Sequence, residues 1–395
     1  MSKVYVTGMG IISPLGHSVA ENRAALAAGK CGLSHLDLFD TKYAELMPFG
    51  EIKISNEELK QQLSVSAKGV TRTTLLALHA INQAIKDSGL SQEDLSSFDT
   101  ALIGATTVGG MCHTDELFAD ANLSETGSEY LSSYELGTVN QYLQKHLGMV
   151  GTSAMYNTAC SSSANAIMLG ARLIKYGYAK RVIVGGVDSL AKFTINGFNS
   201  LNILSSELTT PFDANRKGLN LGEGAAFLVL EGEATAQGKT QYAEVSGYAN
   251  TNDAFHPSSL SDNGEGPYLA MSKALEMAHL KPEQVGFINT HGTATENNDE
   301  VEGKAMQRVF GTPPAFASTK ANTGHTLAAA GSIEAVFCIL NLLNQELYPN
   351  LRFKDAIPST GLEPVKEYTH KELEHVMSNS FGFGGNCSSL IFSKV

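Results

Sequence analysis

Cysteine is scarce in this 395-residue chain and badly placed for cross-linking. Cys31, Cys112, Cys160, Cys338 and Cys387 are odd in number, widely spaced and without a Cys-x-x-Cys pair, which excludes a disulfide framework and a sequence-encoded zinc site. Basic residues are also short, with 28 Lys and Arg against 40 Asp and Glu, a formal charge of −12. That balance argues against nucleic-acid binding, and an acidic partner would need a local basic patch. No run of about 20 apolar residues is present to span a bilayer. The longest, Ala328 to Leu343, is interrupted by Glu334, so membrane insertion is not expected. The segment from Lys3 lacks a basic region followed by an apolar core and cleavage site, and a cytoplasmic location is expected. Early glycines lack the Gly-x-Gly-x-x-Gly spacing with its following acid, which argues against a dinucleotide site. Long disordered tracts are excluded by a composition of 43% hydrophobic and 17% charged residues.

What is present centres on Met155 to Met168. Thr152 to Thr158 is rich in strand formers, whereas Ala164, Ile167, Met168, Ala171 and Ile174 recur at helical spacing, so the turn falls at Cys160 to Ser163. A sulfur at a helix start faces unpaired N–H groups and the positive end of the macrodipole, which favour thiolate and predict a lowered pKa. Against this stands the ordinary fate of a free cysteine, which is to be a small buried hydrophobe.

Strands and helices alternate along the chain. Lys3 to Ile12 reads as a buried strand, Leu59 to Ser88 as one long packing helix with Lys68 and Arg72 on a shared face, and Glu129 to His146 as another helix. Lys180 to Gly186 completes a strand–helix–strand unit around the cysteine helix. After a polar connection at Ala234 to Lys239 the pattern begins again, with strands running into His291 and into Lys320 to His325, and a helix opening on Ala328 to Gly331. Both halves show a strand, a polar turn, a helix of small residues and a strand ending in paired glycines, a weak internal repeat. The expected class is α/β, with sheets covered on both sides and a central helical layer between them.

Three polar turns at strand ends carry the chemistry: Cys160, His291, and Lys320 with His325. Of the eleven histidines, His291 and His325 stand out because their Gly/Thr/Asn-rich turns cannot form ordinary core. A thiol protease needs one histidine and an orienting Asn or Asp, and an acyltransferase needs a base and an oxyanion hole. The second histidine and the lysine are surplus to both. They make sense if a carboxylate leaves as CO2 from a bound thioester while two imidazole N–H groups stabilise the enolate, a step that spacing alone does not establish.

Asn157-Thr158-Ala159-Cys160-Ser161-Ser162, Thr290-His291-Gly292-Thr293-Ala294-Thr295, Lys320-Ala321-Asn322-Thr323-Gly324-His325-Thr326 and Asn379-Ser380-Phe381-Gly382-Phe383-Gly384-Gly385 resemble the four signatures of elongating β-ketoacyl-[acyl carrier protein] synthases. The resemblance implies the thiolase fold: two similar α/β halves, here 1–235 with the nucleophile and 236–395 with the His/Lys turns, in a five-layered αβαβα core that usually dimerises across the edge near the cysteine strand. It implies that Cys160 takes an acyl group from acyl carrier protein, with the N–H groups of Cys160 and Phe383 as oxyanion hole. His291 and His325 would then promote decarboxylation of malonyl carrier protein, and the enolate carbon would attack the acyl-cysteine. By the same resemblance Lys320, with Glu334 and Asp299, holds the histidine turns, Thr293 and Thr295 bind the phosphopantetheine arm, and Phe383 gates the acyl chain. Lys68, Arg72 and Arg216 stand where the family meets its acidic carrier. No permanently bound cofactor and no metal are implied; the substrates ride on the carrier's phosphopantetheine.

Two departures are visible. Glu296 replaces a usual proline, and Asn386-Cys387 replace a common Thr-Asn, either of which would reshape the arm tunnel or site floor. Phe212 to Arg216 and Gly218 to Gly224 resemble the aryl polyene pigment branch. Thr106 to Met111 and Phe193 to Leu204 are expected to line the acyl pocket. Among rivals, a thiolase would need a second cysteine in a Cys-x-Gly turn, which Cys387-Ser388-Ser389 does not supply. Initiating synthases pair Cys with His and Asn, and chain-length-factor relatives lack the cysteine. A mainly structural subunit of a homodimer or heterodimer is the alternative from another class.

Overall fold

The computed structural model describes residues 3–123, 125 and 127–395. Met1, Ser2, Ser124 and Thr126, which the 1–235 half includes, lie outside the described residues. The strands of the first half are β1 (Val4–Ile12), β2 (Thr100–Ala105), β3 (Ser153–Tyr156), β4 (Arg181–Asp188) and β5 (Gly224–Gly232). Those following are β6 (Ala243–Asn252), β7 (Phe287–Asn289), β8 (Ala315–Ala317), β9 (Glu346–Leu347), β10 (Thr369–His370), β11 (His375–Phe381) and β12 (Asn386–Ser393). β9 and β10 form a separate small sheet, and the other ten form one sheet ordered β3-β2-β4-β5-β1-β6-β12-β11-β7-β8.

Read outward from the centre, each half of that order repeats the other: β1-β5-β4-β2-β3 answers β6-β12-β11-β7-β8. In both, the outer pairs are parallel and the inner pairs antiparallel. Among the described residues, strand pairing between the two half-sheets is confined to Tyr5 and Val6 of β1 with Glu244 and Ala243 of β6.

Strands β1 and β2 are buried at every position, as expected of apolar runs covered on both faces. The early glycines serve packing: a Cβ at Gly10 would collide with the Ala80 carbonyl of the helix Arg72–Ser88 lying across β1. The helices Ser162–Lys175 and Ala330–Asn344 touch strands of both half-sheets and each other. Their crossing requires small residues, because a Cβ on Gly331 would lie 2.7 Å from the Ala164 nitrogen. Arg72–Ser88 and Gly137–Leu147 cover one outer face, Glu265–Ala278 and Glu296–Phe310 the other. The result is the five-layered α/β arrangement of the thiolase fold. Leu327–Asn344 is long and apolar enough to cross a membrane, but it is the buried centre of this core.

Two expected helices are corrected. Leu59 to Ser88 is two helices, Asn56–Gln62 and Arg72–Ser88, because Ser64 and Gly69 adopt left-handed conformations and Thr71 caps the second. Glu129 to His146 is a single 3-10 turn at Leu131–Ser133 followed by Gly137–Leu147. Lys68 therefore lies outside the helix that Arg72 begins, and the two share no face.

Candidate active site

Strand β3 delivers the chain to Cys160 through Ala159, held at φ 53°. Ser162 Oγ accepts from Thr158 N–H at 2.8 Å and donates to the Ala159 carbonyl at 2.5 Å, closing the turn before the helix. Ala294 and Leu327, just after the two histidines, also have positive φ, at 62° and 52°. Each reactive turn thus holds one non-glycine residue in a conformation costing about 1–3 kcal/mol, as a rigid scaffold permits.

Cys160 is 5% exposed. Burial pushes its thiol up to about 11, while the Lys320 charge and the backbone N–H groups of Phe383 and Cys160 pull the other way. This corrects the expected lowered pKa: desolvation outweighs the helix start, and the resting group is a thiol.

His291 follows β7, and Lys320 and His325 follow β8. Lys320 Nζ donates to the His291 carbonyl at 2.6 Å, approaches His291 Nδ1 at 3.3 Å and pairs with Glu334 Oε1 at 2.5 Å. His325 Nδ1 accepts the Leu327 N–H at 3.2 Å. Donors on both Nδ1 atoms leave the proton of each neutral ring on Nε2. Burial, and after it the Lys320 charge, hold both imidazoles well below the ordinary histidine range, so both are neutral. Their rings lie edge to face with centroids 5.4 Å apart, and His325 Nε2 is buried without a hydrogen-bond partner.

One atom each of Cys160, His291 and His325 falls within a cluster no wider than 4.8 Å. Sulfur with two imidazoles is a donor set that zinc accepts, but a ligand nitrogen must offer a lone pair. Here the nitrogens left free carry protons, so the arrangement suits hydrogen-bond donation to an oxygen and not metal ligation.

The supporting carboxylates divide the work. Glu334 is buried against Lys320, and burial pushes it up to about 7. Asp299 takes N–H groups from Phe212 at 2.7 Å and Ala294 at 3.1 Å, fixing the turn beyond His291. Glu302 went unnoticed in the sequence. It accepts the N–H groups of His291 and Gly292, both at 2.9 Å, and burial pushes it up to about 7. The available signal was spacing: Asp299, Glu302 and Met306 share one buried face of Glu296–Phe310. Asp188 was also missed. It ties Thr106 Oγ1, Thr107 and Val108 to Ala328 N–H, joining the expected acyl-pocket loop to the His325 turn.

A cavity of about 450 Å³ reaches Cys160, His291 and His325 and is walled by Thr293, Thr295 and Phe383. Thr293 and Thr295 hydroxyls are 2.9 Å apart, and Phe383 stacks on Phe198 with centroids 5.8 Å apart. Glu296 lines the same cavity. Arg216 does too, and three of its five N–H donors go to the carbonyls of Thr295, Asp213 and Glu296. Lys68 is exposed and does not line it. Arg72 is a correction: all five of its N–H donors are taken, two by Glu223 and the others by Ile52, Ile54 and Asn56, so none is left for a partner.

The beta-ketoacyl synthase N-terminal domain model matches residues 1–236 and the C-terminal domain model residues 242–354. The "3-oxoacyl-[acyl-carrier-protein] synthase 2" of Vibrio cholerae is 32% identical over 418 residues, covering 100% of this chain and 99% of that protein. The protein of the same name from Staphylococcus aureus strain N315 is 31% identical, covering 99% and 98%. Among solved structures, "The ishigamide ketosynthase/chain length factor" superposes with a TM-score of 0.94 at 28% identity, covering 100% and 99%. A chain of the ketosynthase complex with its chain length factor from Xenorhabdus doucetiae gives 0.87 at 31%, covering 100% and 98%. Thiol, paired imidazole donors and buried lysine thus occur in a chain whose length and fold match these enzymes throughout, and it belongs to the β-ketoacyl synthase family.

Proposed function

We propose that this protein is an elongating β-ketoacyl-[acyl carrier protein] synthase, catalysing decarboxylative Claisen condensation between an acyl group on Cys160 and malonyl carrier protein. The observation that carries this reading is the convergence of one thiol and two neutral, Nε2-protonated imidazoles within 4.8 Å. Cys160 attacks the acyl-carrier thioester, its N–H and that of Phe383 receive the oxyanion, and the thiol proton leaves with the pantetheine sulfur. With malonyl carrier in place, the Nε2–H groups of His291 and His325 stabilise the enolate oxygen as CO2 departs. The enolate carbon then attacks the acyl-Cys160 carbonyl, and the released thiolate takes up a proton. Lys320 acts electrostatically, keeping His291 neutral and correctly protonated, with Glu334 as its counter-charge and Asp299 bracing the turn.

The same reading gives the cavity to the phosphopantetheine arm, with Thr293 and Thr295 beside it and Phe383, against Phe198, as its gate. Lys68 and Arg216 are carrier-docking residues, Arg216 at the cavity wall. No cofactor is bound permanently. Residues 1–235 and 236–395 form the two halves, a division supported by the mirrored strand order. The working unit is a homodimer or a heterodimer with a related subunit. This is supported by β3 ending the sheet and by the exposed Phe118, Leu123 and Leu131. The setting is cytoplasmic fatty acid or polyene/polyketide elongation, with the aryl polyene branch favoured by the Phe212–Arg216 motif.

Intact-mass spectrometry after exposure to a panel of acyl carrier proteins tests the assignment. An acyl adduct on the wild type and none on Cys160→Ala is expected; an adduct on both, or on neither, rejects Cys160 as the acyl carrier.

A further inference from the structure

The two N–H groups assigned to the oxyanion hole sit on separate stretches of chain. Cys160 precedes the helix Ser162–Lys175, whereas Phe383 lies in the turn between β11 and β12. The stretches approach closely: a Cβ on Gly382 would stand 2.6 Å from the Thr158 carbonyl and 3.2 Å from the Cys160 nitrogen. Asn386 contacts both. Its backbone carbonyl accepts the Gly382 N–H at 2.7 Å, beside Phe383. Its Oδ1 lies 2.7 Å from Ser161 Oγ, beside Cys160.

A closed amide network fixes that side chain. Asn386 Oδ1 also accepts from Asn165 Nδ2 at 2.9 Å and Asn250 Nδ2 at 2.7 Å, and its own Nδ2 returns to Asn250 Oδ1 at 3.3 Å. Asn165 Nδ2 also donates to Thr158 Oγ1 at 2.8 Å, and its Oδ1 accepts Ser388 Oγ at 2.7 Å. Every Oδ1 accepts and every Nδ2 donates, so flipping any one of the three amides alone sets like atoms against each other. The position is one where the family pattern commonly has threonine, which has no amide to exchange with Asn250.

We infer that Asn386 is a positioning residue that sets the spacing between the Cys160 and Phe383 N–H groups and thereby tunes acyl transfer onto Cys160. The inference rests on the oxyanion-hole reading given under Proposed function. In that transfer a new C–S bond forms at Cys160, the pantetheine C–S bond breaks, and the thiol proton goes to the departing sulfur. The carbonyl oxygen carries negative charge between these events. Displacement of iodide from iodoacetamide by the same sulfur forms no oxyanion and needs no such hole.

The two reactions therefore separate positioning of the hole from general damage to the cysteine turn. In Asn386→Ala, single-turnover acylation of Cys160 at saturating acyl carrier protein is expected to slow at least about tenfold, a fraction of the loss that follows removal of a whole oxyanion donor. Iodoacetamide alkylation of Cys160, compared at equal thiolate fraction read from each protein's pH profile, is expected to stay within about twofold of wild type. Asn250→Ala should show the same split to a smaller degree. Asn386→Thr, which keeps one hydroxyl, provides the measurement if the alanine variant does not fold. Acylation unchanged in these variants overturns the inference, as does a parallel fall in acylation and alkylation. A wild type that alkylates at Cys160 but never acylates there overturns the oxyanion-hole reading itself, and the inference with it.

Discussion

Lys320 reaches His291 at two points, donating to its backbone carbonyl at 2.6 Å and standing 3.3 Å from its Nδ1. One ammonium thereby fixes where the histidine turn runs, which nitrogen carries the proton, and that the ring stays neutral. Its counter-charge is Glu334, and both side chains are 3% exposed.

Removing Glu334 strands a buried ammonium, whereas removing Lys320 leaves a carboxyl already pushed up to about 7, which then takes up a proton. Glu334→Gln is expected to cost about 3–5 kcal/mol of stability, Lys320→Met less, and Lys320→Met with Glu334→Gln less than the sum of the two single changes. Chemical denaturation of the four proteins checks this. Decarboxylation of malonyl carrier protein should fall further in Lys320→Met than acylation of Cys160, because both histidines lose their electrostatic partner, whereas the thiol loses the pull of Lys320 but keeps that of the Phe383 and Cys160 N–H groups.

The pH profile follows from the direction of the histidine shifts. His291 and His325 are held well below 6.5, so as pH falls through 6.5 the unfolded chain takes up protons there while the folded site does not. Stability contributed by these two groups is therefore lost as pH drops below 6.5, but the histidines themselves should add no step to the decarboxylation rate there; Glu302 and Glu334, pushed up to about 7, are the site groups that titrate in that range. An acid limb near 6.5 that persists in both Glu302→Gln and Glu334→Gln would contradict the neutral assignment.

For Cys160, a thiol raised to about 11 predicts that iodoacetamide alkylation accelerates with pH through 9 without levelling off. A plateau below pH 8 would mean that the helix start outweighs burial after all.

Arg72 should matter for folding and not for docking. Arg72→Ala leaves Glu223, whose side chain is 1% exposed, without its bidentate partner, and is expected to cost about 3–5 kcal/mol. The KM for carrier-bound substrate should match wild type at temperatures where the variant is folded. Lys68→Glu, by contrast, should raise that KM and leave the KM for a free pantetheine thioester unchanged. A carrier-specific KM effect from Arg72→Ala would restore it as a docking residue.

The reactive groups were legible in the sequence because each lies in a turn rich in Gly, Thr, Asn or Ser at the end of an apolar strand, where core packing gives no reason for Cys160, His291, Lys320 or His325 to be. The halves were legible for a similar reason, since the small residues Ser161 to Ala166 and Ala328 to Gly331 open the two helices that cross at Gly331 and Ala164. What escaped depends on partners distant in sequence. Arg72 looked like a surface cation because Glu223 is 151 positions away. Glu302 binds backbone N–H groups, which leave no trace in residue identity. The direction of the Cys160 shift turned on burial, and a helix start visible in sequence says nothing about depth. Ser64 and Gly69 break an apolar periodicity that otherwise runs on.

The central claim is that loss of CO2 and carbon–carbon bond formation occur on one acyl-Cys160 enzyme. It is tested most directly by mixing purified acylated protein with malonyl carrier protein in a single turnover, following CO2 release and the Cys160 adduct together. Stoichiometric CO2, matched by loss of the adduct and appearance of a β-ketoacyl carrier two carbons longer, is the predicted result. Discharge of the adduct without CO2, or CO2 without the extended product, would contradict it.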